Sequence, residues 1–151
     1  MCEPVCMTTK PTYDDANLIL RLYETRREEK MRAAREWFAQ NFKYHTMEEF
    51  NRGCPPGSSM NAYARMVMSY WEMAASFVTA GVLSEELFMQ SGRELLFVWE
   101  RIRDIVPPVR QAYKNPNVHR NMETVASAMI ASEQKVAPGA YEAFSTRVRG
   151  A

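Results

Sequence analysis

MNAYARMVMSYWEMAASFVTA, residues 60–80, decides the architecture of this chain. Its polar residues are Asn61, Arg65, Ser69, Glu72, Ser76 and Thr79. At about 100° per residue this spacing puts all six on one narrow arc of a helix. The remaining positions are apolar, and a helix so widely apolar is normally surrounded by others. The stretch therefore predicts an all-α fold: a compact bundle of about five to seven helices, with its central helix near residues 59–80.

Punctuation on either side sets the limits of that helix. Gly53-Cys54-Pro55-Pro56-Gly57 forces a turn before it, and Ser58 or Ser59 is placed to cap it. Gly81 suits the C′ position, after which Leu83, Ser84 and Phe88 take the N′, N-cap and N4 positions of a next helix. Thr46 with Glu49 reads as a capping box opening a short helix to Asn51.

Residues 1–12 read as a flexible N-terminal arm and 13–149 as a single helical domain. Tyr13, Asp14 and Leu18 suit N′, N-cap and N4 of a helix expected to run to Phe42. Leu18, Ile19, Leu22 and Tyr23 define an apolar face that resumes at Ala33, Ala34 and Trp37, with Arg26 and Lys30 on the same side between them. The intervening TRREEK, residues 25–30, has two readings. Either the middle of the helix overhangs the bundle and its long stems snorkel along the edge, or Arg26 or Lys30 enters a polar seam and meets Glu72 or an anionic ligand.

Beyond Gly92, a helix carrying Leu95, Leu96, Trp99, Ile102 and Val106 is expected to end around Pro107-Pro108. A brief helix with Val109 and Tyr113 follows, up to Asn115-Pro116. Val118, Met122, Val125 and Met129 form another apolar stripe. Pro138 suits the first position of a last helix with Tyr141, Phe144 and Val148 inward.

A chain of 151 residues is long enough for one domain with its own core. Its 19 Lys and Arg against 18 Asp and Glu give a net charge of +1, which offers no reason to expect nucleic acid as partner. The start, MCEPVCMTTKPTY, lacks a secretory pattern, and Arg65 and Glu72 interrupt the segment nearest in length to a membrane span. A cytoplasmic location is expected. Cys2, Cys6 and Cys54 are an odd number without a framework spacing and read as reduced thiols. Removal of Met1 would make Cys2 an N-terminal thiol, either a nucleophile with its own amine as base or an incidental surface residue.

Chemistry leaves few marks. His45 and His119 lie far apart in the chain without a metal-ligand spacing, and both read as surface or boundary residues. No metal site, cofactor, phosphate loop or catalytic residue is expected. The 11 methionines and the aromatics around Tyr70 and Trp71 suit either a core or an adaptable ligand pocket or partner groove. Glu72, flanked by Trp71 and Met73, is the side chain with the clearest claim to a polar role, although a solvated outer stripe accounts for Arg65 and Glu72 more simply.

Ser69-Tyr70-Trp71-Glu72-Met73-Ala74-Ala75, Gly81-Val82-Leu83 with Glu86-Leu87-Phe88, and Leu96-Phe97-Val98-Trp99-Glu100-Arg101-Ile102 resemble a bacterial all-helical family catalogued as a domain of unknown function. The resemblance spans most of residues 15–125. These motifs are packing and turn signatures, and the resemblance implies a fold without any assigned catalytic residue. The expectation is a non-enzymatic binding or regulatory module acting through protein interaction, with self-association through Trp37, Phe38 and Phe42. The alternative is a small-molecule-binding or enzymatic bundle whose polar seam draws on Arg26, Tyr63, Arg65, Tyr70 and Glu72.

Overall fold

The expected central helix runs through the middle of the computed structural model, which describes residues 10–150. The described residues form α1 (Tyr13–Arg26), α2 (Glu29–Asn41), α3 (Met47–Gly53), α4 (Ser59–Thr79), α5 (Glu85–Ser91), α6 (Glu94–Ile102), α7 (Val106–Tyr113), α8 (Arg120–Val136) and α9 (Ala140–Arg149), with no strand among them. The all-α expectation holds, with more helices than the five to seven expected. The expectations for Cys2, Cys6 and most of the N-terminal arm lie outside the described residues.

Helix α4 packs against α2, α6 and α8. It buries Ala64, Val67, Met68, Tyr70, Trp71, Ala74, Ala75 and Val78, while Arg65, Ser69 and Thr79 on the polar arc stay exposed. The Ser58 hydroxyl accepts the Asn61 N–H at its start. Gly81, at φ +76°, ends it in the left-handed region where a side chain is strained.

The single helix expected over Tyr13–Phe42 is two. Glu28 adopts an extended backbone, and its carboxylate accepts the N–H groups of Lys30 at 3.1 Å and Met31 at 3.0 Å. One residue of the charged hexapeptide thus caps a new helix, and an acid there also meets the positive end of its dipole. The break lets α2 pack along α4 while α1 reaches α5. The start of α1 differs too: Thr12, not Asp14, is the N-cap, in a capping box with Asp15. The second carboxylate oxygen of Asp15 accepts the Ser84 N–H at 2.8 Å, tying the starts of α1 and α5 together. The N–H groups of Thr12 and then Ser84 hold the Asp15 carboxyl below the usual carboxylate range.

Three further expectations are corrected. Phe38 and Phe42 are buried and stacked on each other at 4.5 Å, and Trp37 is half-buried 6.2 Å from Tyr63, so the exposed aromatic surface invoked for self-association is absent. Pro107 and Pro108 open α7 instead of closing α6, because the first turn of a helix has no use for their missing N–H groups. Helix α9 begins after Gly139, at φ +92°, and not at Pro138.

Met122, Val125 and Met129 of α8, and Phe144 and Val148 of α9, complete the core. Two charged residues of α6 enter it. Arg101 donates to the carbonyls of Val148 at 2.6 Å, Phe42 at 2.7 Å and Ala39 at 3.2 Å, and Glu100 accepts the hydroxyls of Tyr141 and Ser145. These bonds fasten α9 and the end of α2 to α6. No helix of the described residues is long and apolar enough to cross a membrane.

Candidate functional site

Of the five residues expected to share a polar seam, the fold brings Arg26 and Tyr70 together and sends Tyr63, Arg65 and Glu72 elsewhere. Arg26 turns inward, with its side chain 13% exposed, over the rings of Trp71 and Tyr23. Its carboxylate partner is Glu94 at 3.6 Å, not Glu72, while Lys30 is exposed. Tyr70 is buried beside Arg26 and gives its hydroxyl proton to the Leu22 carbonyl, and burial pushes the phenol up to about 12. Tyr63 packs against Trp37.

Glu72 performs a local task. Helix α8 starts at His119, whose backbone is left-handed (φ +55°) and whose side chain does not cap it. The unpaired donors of its first turn are met from the neighbouring helix: Glu72 accepts the N–H groups of Asn121 at 3.0 Å and Met122 at 2.8 Å. A carboxylate at this position joins hydrogen bonding to a favourable dipole interaction. Both of its oxygens are occupied.

Arg65 leads elsewhere. It stands on the rim of a half-open cleft of about 570 Å³ bounded by α3, the first half of α4, α7 and the loop before α8. Met68, Ile102, Ile105 and Val106 are buried and form the floor; Phe50 and Val109 line it further, with exposed Tyr113 at its mouth. The first half of the polar arc of α4, Asn61, Arg65 and Ser69, supplies the rim, while Glu72 and Thr79 further along reach α8. Asn61 on that rim is engaged, donating to the Cys54 carbonyl at 3.2 Å. Arg65 is the one charged side chain of the lining apart from the titratable His119, and no carboxylate pairs with it among the described residues.

His119 sits at the inner end of this cleft, with Nδ1 buried and lacking a hydrogen-bond partner. Burial lowers its pKa, against the pull of the Glu72 carboxylate and with the help of Arg110, so the ring is held neutral. Arg110 also fixes the loop that carries it, donating to the Val118 carbonyl at 2.9 Å and lying 3.3 Å from Glu123. No sequence spacing marks His119 as anything but a boundary residue; its place in the cleft comes from the turn between α7 and α8.

A larger hollow of about 870 Å³ runs over α2, but it is open and lined by Arg27, Arg32, Arg35, Glu29, Glu36 and Glu94, charges of both signs that balance one another. The 570 Å³ cleft combines concavity, apolar walls and unused polar groups, which is what a binding site requires. Among the described residues, no group of three or more His, Cys, Asp and Glu is placed to hold a metal ion.

The sequence model of a domain of unknown function, DUF4760, matches residues 11–129, and the chain belongs to that family. No curated protein and no solved structure matches it.

Proposed function

We propose that this DUF4760 chain is a non-enzymatic binding module, working in the cytoplasm, whose cleft between α3, α4 and α7 receives an apolar segment of a partner protein. Apolar side chains of that segment fill the groove over Met68 and Ile105, and an acidic residue beside them meets Arg65. The observation that carries this reading is Arg65, without a carboxylate partner among the described residues, on the rim of a concave apolar surface. Helix-in-groove recognition uses this combination, with apolar anchors for affinity and a flanking charge for register. Met47 and Met68 in the lining suit a surface that adapts to its occupant.

A second reading has its own support. The volume lies within the range of roughly 300–1,000 Å³ found for small-molecule pockets, and His119 adds an imidazole to the lining. Native mass spectrometry on gently purified protein separates the two. A reproducible small adduct lost on denaturation selects the small molecule.

The site itself is tested with anilinonaphthalene sulfonate, an apolar anion that fluoresces when shielded from water. Saturable binding is expected. Ala112→Trp, at an exposed position of the cleft wall, should abolish it, and Arg65→Gln should weaken it by about tenfold, the loss of one charge-assisted contact. Dye binding that ignores both substitutions would remove the cleft from consideration.

A further inference from the structure

The outer side of α1 carries a stripe of large apolar side chains. Tyr13 is 80% exposed, Leu20 57% and Tyr23 48%, and they recur at intervals of seven and three. Half-buried Ala16 falls between them, so residues 13, 16, 20 and 23 follow the alternating three-and-four spacing of a two-helix seam. The inner side of the same helix, with Leu18, Ile19 and Leu22, packs on the core. Among the described residues no other helix exposes three large apolar side chains. Scattered exposed apolar residues are ordinary, whereas an aligned set on a solvent-facing helix marks a contact surface.

Whatever covers this stripe must be apolar, helical in period and matched to the charges at its edges. A second copy of α1, laid antiparallel, meets all three requirements. With Tyr13 level with the second copy's Tyr23, Ala16 is level with its Leu20. The two middle layers then set a large side chain against a small one, and the two outer layers set ring against ring. The same register brings Lys10, exposed just before the helix, opposite the exposed Glu24 of the second copy, and does so at both ends of the pair. Farther out on that flank, Asp14 stands opposite the second copy's Arg21. A parallel pair would instead bring each of these charges toward its own kind and align the two helix dipoles.

We propose that α1 is a self-association surface, through which two copies of this chain pair antiparallel on Tyr13, Ala16, Leu20 and Tyr23. The contact is the same patch on both copies, so it closes at two. It is a different surface from Trp37, Phe38 and Phe42, and it lies apart from the cleft, whose proposed role does not depend on it. One pair of short helices is a small interface, and the dissociation constant should be on the order of 10–100 μM.

Sedimentation velocity on the full chain, over concentrations on either side of that value, reads the association directly. The mean mass should rise from one chain toward two. Leu20→Glu should hold the chain monomeric throughout, with a urea midpoint equal to that of the wild type. Glu24→Lys and Lys10→Glu should each weaken association by about tenfold, and the two combined in one chain should restore it. A monomer at every concentration would overturn the proposal, and so would a dimer indifferent to Leu20→Glu. A double variant no tighter than the single ones would overturn the antiparallel pairing.

Discussion

Glu100, Arg101 and Ile102 are consecutive in α6, yet they belong to two regions built on opposite terms. Glu100, with its side chain wholly buried, accepts from Tyr141 and Ser145 and has Arg103 at 3.7 Å. Arg101 divides its donors among three carbonyls at the ends of α2 and α9 and stacks over Phe97 at 4.7 Å. Ile102, the next residue, lies on the floor of the cleft, where neither Arg65 nor His119 Nδ1 has a partner among the described residues. Buried charge in the first region is completed from within the chain, and such networks stabilise a unique packing only when every member is satisfied. Polar groups in the second are left with capacity to spare. The comparison makes the first region structural and agrees with the binding role proposed for the second. The first region also extends past the family match, because α9 lies beyond residue 129 yet supplies Tyr141, Ser145 and the Val148 carbonyl to two residues within it.

The largest effect is expected at Arg101. Arg101→Met keeps most of the side-chain volume but strips three carbonyls of their donor, and leaving buried acceptors unpaired is the costly half of a hydrogen bond. Loss on the order of 3 kcal/mol is expected, read as a lower urea midpoint at unchanged slope. A midpoint equal to that of the wild type would mean that water replaces the guanidinium and that the region is not sealed. Glu72→Ala comes next. It removes the acceptor for the Asn121 and Met122 N–H groups, and losses of this kind at helix starts cost about 1 kcal/mol. Faster amide exchange confined to the first turn of α8 would locate the damage.

Both regions were only partly legible in the sequence, for reasons that differ. The period of α4 and the capping signals at Ser58, Gly81 and Ser84 are local, and a chain read in order displays them. The split between α1 and α2 carries no glycine or proline; it turns on Glu28 serving as a cap, a role for which glutamate is not a favoured residue. Pro107-Pro108 reads equally as a stop and as a start, and only the path of α6 decides. Arg26 illustrates the harder limit: its inward turn belongs to the helical phase, but its partner Glu94 is a matter of tertiary contact. The cleft is likewise assembled from α3, α4 and α7, which no spacing relates, although the polar arc that forms its rim includes Arg65.

His119 sharpens the comparison through pH. Its pKa lies below the ordinary value near 6.5, so the unfolded chain binds a proton there before the folded chain does. Its contribution to stability is therefore present above the unfolded pKa and declines as pH falls through the interval down to the folded one. His119→Asn removes the titration, and the variant should lose less stability between pH 7 and pH 5 than the wild type. Identical pH profiles would mean that water reaches the ring and that the cleft's inner end is wet.

Arg65→Gln is expected to have the smallest effect on stability and for that reason discriminates best. An exposed arginine without a carboxylate partner contributes little to folding, so the change in unfolding free energy should stay within about 0.5 kcal/mol. A residue retained for packing or for a hidden ion pair would behave like Arg101 and shift the urea midpoint. A residue retained for an external partner would leave the midpoint alone and weaken only the binding of an apolar anion. Unchanged folding with reduced binding would separate the open region from the closed one by experiment, on two arginines of the same bundle. Reduced stability would instead make the cleft a second structural cluster whose partner lies outside the pairs described.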